Sequence, residues 1–260
     1  MLAISATAEW RAAHPGAIIG LLELSRVDNT RPSPALDGRR QEMEARLRER
    51  YQGFTRQDFL SLPVMAAYAR YYKRFGKTYH VQLQVESIVL KGKSLPNVSP
   101  LVDSNFIAEV DTLVLTAGHD VGKLHGGVSI DVSREGDELT QMHGAAKVIR
   151  AGDMIMRDEK GISCSILYGQ DDRSPISAET SHVLYVAYAP PGVPAETVTA
   201  HLRAIEEHVR LFSPLAITEQ QQLLVRSAFD DATAIQHQNL IGMHNGRETM
   251  RDHDRSSAEH

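Results

Sequence analysis

The sequence predicts an α+β fold. Three observations predict it. Helical periodicity dominates residues 36–112, alternating apolar and polar residues dominate 128–189, and a clean helical stripe returns at 197–212. The chain has 260 residues, enough for one large domain or two small ones with a substantial core.

Residues 36–50 have helix-forming composition and mixed charge. Residues 61–75 make a stronger helix, because Met65, Tyr68, Tyr72 and Phe75 recur at helical spacing; Ser61 is the expected N-cap and Gly76 the stop. A further helix runs to the turn at Lys91-Gly92-Lys93, and a short helix or turn follows Pro100. Val128, Ile130 and Val132 then alternate with polar residues as in a half-buried strand. The runs at 153–158, 162–168 and 182–189 read the same way, with Asp158–Gly161 as a hairpin turn. Val198, Leu202, Ile205, Val209 and Phe212 give the returning helix. Another helix is expected over 218–236, followed from Gly242 by a polar, frayed tail. The expected organisation is an N-terminal extension over 1–60 packed on a module over 61–212, then a C-terminal helix over 213–241 and a disordered tail over 242–260.

Composition narrows the chemistry. Cys164 is the one cysteine, which excludes an internal disulfide framework and a cysteine-based zinc site. It lies in an alternating run and is expected to be a small buried residue. No apolar run reaches the ~18 residues of a membrane span. The first 20 residues lack the pattern of a signal peptide, so a cytoplasmic location is expected. A net charge of −5 argues against broad coating of nucleic acid. A local exception stands out: residues 70–93 hold Arg70, Lys73, Arg74, Lys77, Lys91 and Lys93 against the single acid Glu86. That is a candidate phosphate-binding face, or an ordinary solvated one.

His119-Asp120 resembles the metal-binding pair of His-Asp phosphohydrolases. The surroundings argue otherwise: those enzymes are all-helical, the segment after His119 is strand-rich, and no histidine lies between His80 and His119. His125 is also six residues on, which is not the spacing that puts two ligands on one helical face. No metal and no cofactor are expected.

The ordered set Leu95-Pro96, Pro100-Leu101-Val102-Asp103, Asp120, Lys123-Leu124, then Asp172, Glu179-Thr180 and the strand Val183–Tyr188 is similar to the B3/B4 editing module of the phenylalanyl-tRNA synthetase β subunit, and to free-standing proteins made of that module. The resemblance covers roughly 60–210. It implies a layered sheet-and-helix fold with N-terminal helices and a C-terminal helical extension. It also implies hydrolysis of the ester that joins a wrong amino acid to the 3′ end of a tRNA. Such a second site is needed because a pocket that measures size alone gains only ~1–3 kcal/mol per methylene. The partner is then an aminoacyl-tRNA, gripped at its 3′ end and acceptor arm. Ser104, Asn105, Gly118, His119, Gly169 and Asp172 are the implied pocket residues, with Asp172 as reader of the side chain and His119 as a possible general base. Asp171 is an alternative to Asp172. Phe106 and Ala117 stand where the synthetase module carries a polar residue and a histidine, so a non-catalytic binding module of the same fold is the competing expectation.

Overall fold

A computed structural model describes residues 2–225. Its elements in chain order are β1 (Ile4–Ala6), α1 (Ala8–Ala13), β2 (Ile18–Ser25), α2 (Pro34–Arg50), α3 (Arg56–Ser61), α4 (Pro63–Lys73), α5 (His80–Lys91), α6 (Pro100–Thr112), β3 (Thr116–Asp120), β4 (Val128–Val132), β5 (Glu138–Thr140), β6 (Ala146–Val148), β7 (Met154–Asp158), β8 (Gly161–Ser165), β9 (Gly169–Gln170), β10 (His182–Ala189), α7 (Ala195–Arg210) and β11 (Ile217–Val225). The fold is α+β.

Two larger sheets organise it. One has the order β11-β2-β10-β3 and is antiparallel throughout. The other has the order β1-β4-β7-β8-β9 and contains one parallel pair, β1 with β4. A small hairpin, β5-β6, stands apart. The helices cover the sheets, and most buried apolar residues join one continuous core.

The stripe on α7 behaves as its spacing predicts. Val198, Leu202, Ile205 and Val209 are fully buried. They pack on the sheet where β2 presents Gly20. A Cβ at Gly20 would lie 2.6 Å from Val198 Cγ1 and 3.1 Å from Leu202 Cδ1, so α7 sits this close only because position 20 has no side chain. Gly20→Ala is expected to lower stability by roughly 1–3 kcal/mol through overpacking, read as a shift in the denaturant midpoint.

Two expectations are corrected. The helix over 218–236 does not form in its described part: residues 217–225 are β11, paired along the whole of β2. Gln and Leu favour a helix weakly, but β2 offers an open sheet edge, and tertiary pairing outweighs that preference. The rest of that helix and the tail lie outside the described residues. Ser61 is not a cap. It ends α3, and α4 starts at Pro63, whose fixed φ suits a first helical position. The periodicity reading also assigns no strand to 18–25, which form the second strand of the first sheet. That segment is buried on both faces, so its apolar residues run together without alternation.

Tyrosine hydroxyls tie the layers together. Tyr68 on α4 accepts from Leu115 N at 2.9 Å and donates to Tyr188 O at 2.7 Å. Tyr185 on β10 donates to Leu101 O at 2.8 Å and so fixes the start of α6. Asn29 pins the same helix start to the 177 loop: it accepts from Leu101 N at 3.0 Å and donates to Ser177 O at 2.8 Å. These bonds set where α6 meets β3, and the cavity opens there.

Candidate functional site

A cavity of about 350 Å³ lies between the first turns of α6, the edge strand β3 and the β8–β9 turn. That volume falls in the range of small-molecule sites. Val102, Phe106, Leu115, Ile166 and Ile176 make much of its wall, with Cys164 and Tyr188 also contributing. Exposed Val98 and Met142 form two lips, Met142 coming from the β5-β6 connection. Besides the Tyr188 hydroxyl, the polar side chains on the wall are His80, Asn105, Thr116, Ser165 and Gln170. Among the described residues, no Asp, Glu, Lys or Arg lines the cavity. A charged guest would lose its hydration there without gaining a counter-ion, which is costly.

Asn105, Gly118 and Gly169 line the cavity, as the resemblance implies. Ser104, His119 and Asp172 do not. Ser104 turns its hydroxyl back to Pro100 O at 2.8 Å, and its own carbonyl meets His208 Nδ1 at 3.1 Å. Asp172 is exposed, and its backbone N–H donates to Thr140 O, which ties the small hairpin down. Asp171 is buried within its own loop, where it accepts from Ser174 N and Oγ and pairs with Arg173 at 2.8 Å. Neither acid reaches the cavity. The wall residue from this stretch is Gln170, whose amide bonds Gly118 O and Ser174 O, each at 2.9 Å, and meets His119 Nδ1 at 3.0 Å.

His119 is completely buried, with Nδ1 2.8 Å from Ser174 Oγ. Burial lowers its pKa to about 3, so it is neutral and sealed from solvent. Asp120 is its neighbour along a strand, where successive side chains leave opposite faces. The Asp120 carboxylate caps the turn at Gly122 N and accepts from Thr180 Oγ1 at 2.8 Å. The pair therefore does not converge on one point. Among the described residues, no group of three His, Cys, Asp or Glu is placed to hold a metal ion.

The imidazole on the cavity wall is His80, at the start of α5. The residue is exposed overall, but its ring packs edge-on to Tyr72 and Tyr79. Desolvation by these neighbours keeps it neutral. Periodicity gives no reason to single out a histidine at a helix start, and only the fold brings it to β9.

Gly118 supplies a donor. Its carbonyl receives Gln170, so it points away from β10, and a residue's N–H and C=O leave a strand on the same side. Gly118 N–H therefore also faces away from β10. The absent side chain matters too: a Cβ at 118 would lie 2.6 Å from Ile176 Cδ1. Gly169 has φ +87, a left-handed turn that a side chain would strain.

The cationic residues separate into two groups. Arg74 stacks on Tyr71 and Phe75, and Lys77 donates to Leu167 O at 3.0 Å while sitting 3.8 Å from the Tyr168 ring centroid. Lys147 approaches the same ring at 6.0 Å, and Arg150 reaches Phe75 O at 2.5 Å. Lys77 and Lys147 flank Tyr168, which immediately precedes the cavity residue Gly169, while Arg74 and Arg150 meet at Phe75. Lys91 and Lys93 lie at the other end of α5, roughly 16 Å of helix from His80, with Lys93 beside Arg48. Arg70 and Lys73 are exposed on α4. Lys147 and Arg150 carry no local signal that joins them to this group, because they come from a strand region about 70 residues downstream.

An N-terminal fragment of the phenylalanyl-tRNA synthetase β-subunit from Pyrococcus horikoshii is similar to 84% of this chain at 8% identity, with a TM-score of 0.41. The similarity covers 54% of that fragment, so this chain spans about half its length. Comparison with curated proteins gives no match. A family model described as the B3/4 domain matches residues 66–208. Since that match spans more than half of the 260 residues, the chain belongs to the B3/4 domain family.

Proposed function

We propose that the chain is a cytoplasmic hydrolase that deacylates mischarged aminoacyl-tRNA through a positioned water. The observation that supports this reading is the cavity itself: residues from the family motif meet in an uncharged pocket beside a cationic, aromatic rim. The acyl side chain enters the apolar wall of Val102, Phe106, Ile166 and Ile176. Gly118 N–H donates to the oxyanion that develops when water attacks the ester. One such donor is typically worth ~2.7–4 kcal/mol in the transition state. His80, neutral at pH 7, accepts a proton from that water. The terminal phosphates lie along Arg74, Lys77, Lys147 and Arg150. No covalent nucleophile is used: Cys164 is buried, with its thiol pKa pushed up to about 12 by burial.

The uncharged wall specifies the guest. Apolar or neutral polar acyl groups are accepted, and lysyl or glutamyl groups are refused. A single-turnover deacylation screen over correctly and incorrectly charged tRNAs tests this. Release confined to uncharged side chains is expected, and no release from any tRNA would remove the hydrolase reading.

Three observations favour a second reading, a non-catalytic amino-acid- or RNA-binding module. His119 is sealed away, Ala117 lies on the wall, and the remaining imidazole is weakly basic. In that case the same screen gives binding without release.

A further inference from the structure

The aromatic stripe of α4 reaches the cavity. Tyr72 is 2% exposed, and its hydroxyl sits between two residues of the wall. It donates to Ile166 O at 2.7 Å, on the turn that leads to β9, and lies 3.3 Å from His80 Nδ1 at the start of α5.

Both rings are held in place. Tyr72 packs edge-on against Tyr71 and lies 5.2 Å from Tyr79 between ring centroids. Tyr79, the residue before α5, stacks on Tyr68 at 4.2 Å and donates to Leu113 O at 2.9 Å. The start of α5 is anchored through Tyr79, and the His80 ring meets the Tyr72 hydroxyl from there.

A tyrosine hydroxyl carries one hydrogen and two lone pairs. Ile166 O can only accept, so the hydrogen of Tyr72 is committed to it. Toward His80 the hydroxyl presents a lone pair, and Nδ1 is the donor in that contact. A neutral imidazole has one ring proton, and the bond made by one nitrogen decides which of the two carries it. The proton is therefore on Nδ1. Nε2 is bare, faces away from Tyr72 and has no hydrogen-bond partner among the described residues.

We propose that Tyr72 is a positioning residue: its hydroxyl holds the His80 proton on Nδ1 and turns a bare Nε2 to the cavity, where it receives the proton of the attacking water. This rests on the reading of the cavity as an aminoacyl-ester site. The water oxygen bonds the acyl carbon as its proton passes to Nε2. The imidazolium then returns that proton to the ribose oxygen as the ester C–O bond breaks, leaving a free amino acid and a tRNA hydroxyl. The Nδ1–H bond to Tyr72 strengthens while the ring is cationic, so the contact assists the transfer.

The ring proton is located by long-range proton–nitrogen NMR on nitrogen-labelled chain at pH 7, which distinguishes a protonated ring nitrogen from a bare one. The His80 signals are assigned by their loss in His80→Gln. The wild-type chain should show a protonated Nδ1 and a bare Nε2. A proton on Nε2 overturns the positioning role, and the deacylation screen, read separately, decides the proposed function.

Tyr72→Phe keeps the ring and removes the hydroxyl. In this variant the proton should move toward Nε2. Single-turnover release from the aminoacyl-tRNA cleaved fastest in the screen should fall about tenfold, less than the ~10²–10⁴ of losing a general base outright. The probe 3′-deoxy-3′-(L-phenylalanylamino)adenosine cannot be hydrolysed as an ester. Its affinity, measured by calorimetry, should stay within about twofold, because the interaction acts on the transition state. A Tyr72 that merely braces Ile166 gives the opposite split, weaker probe binding with the ring proton unmoved, and that result overturns the proposal. No release from any tRNA by the wild-type chain overturns the proposed function, and the positioning role with it.

Discussion

Replacing Gly118 with valine is expected to reduce both probe affinity and deacylation by about a hundredfold, the scale of displacing the guest from one backbone oxyanion donor that valine retains. The reason is local. A Cβ at 118 would stand 2.6 Å from Ile176 Cδ1 and 3.1 and 3.2 Å from ring carbons of Tyr185. Tyr185 is fully buried, with its hydroxyl bonded to Leu101 O, so it has nowhere to retreat. Ile176 is only half-buried, on a loop, and it already lines the cavity. It yields, and it yields into the site. β3 is an edge strand, so the sheet can absorb the change without unfolding. Single-turnover rates and calorimetry measure the loss, and far-UV circular dichroism checks that the chain remains folded. Unaltered affinity would mean that the ligand does not sit beside β3.

The second large effect concerns RNA. Changing Arg74, Lys77, Lys147 and Arg150 together to alanine is expected to weaken tRNA binding by at least about a hundredfold at low salt. The slope of log affinity against log salt should fall by about 3–4, near 0.9 for each phosphate contact removed. The same change at Lys91 and Lys93 should alter affinity by less than about twofold, because those residues occupy the far end of α5. This reverses the weight that sequence alone places on Lys91 and Lys93. The run 70–93 looks continuous in one dimension, but α5 carries its second half away from the cavity, and Lys147 and Arg150 replace it. Equal losses from the two sets of substitutions would show that the RNA follows the whole basic segment instead.

Much of the fold was legible from pattern. The α7 stripe follows its periodicity, because one face of that helix packs on the sheet, and strands β7, β8 and β10 fall where the sequence places them although each is buried along nearly its whole length rather than on alternate residues. β2 and β11 were not legible. β2 is buried on both faces and shows no alternation, and β11 is a strand only because β2 lies beside it. The site divides in the same way. Asn105, Gly118 and Gly169 could be placed because backbone motifs carry them. Asp172 and His119 have the chemistry a site needs, but residue type does not reveal which side of a strand or loop faces the cavity. Gln170 and His80 hold the wall positions instead.

The most direct measurement locates the ligand. The phenylalanylamino-adenosine probe is titrated into isotope-labelled chain and the amide shifts are followed. The largest changes are expected at Thr116, Gly118, Gly169 and Gln170, around the 350 Å³ cavity. Saturable shifts confined to the groove of Met43, Arg46, Leu47, Arg50 and Asp111, with the β3 and β9 amides unmoved, would contradict the placement of the aminoacyl end.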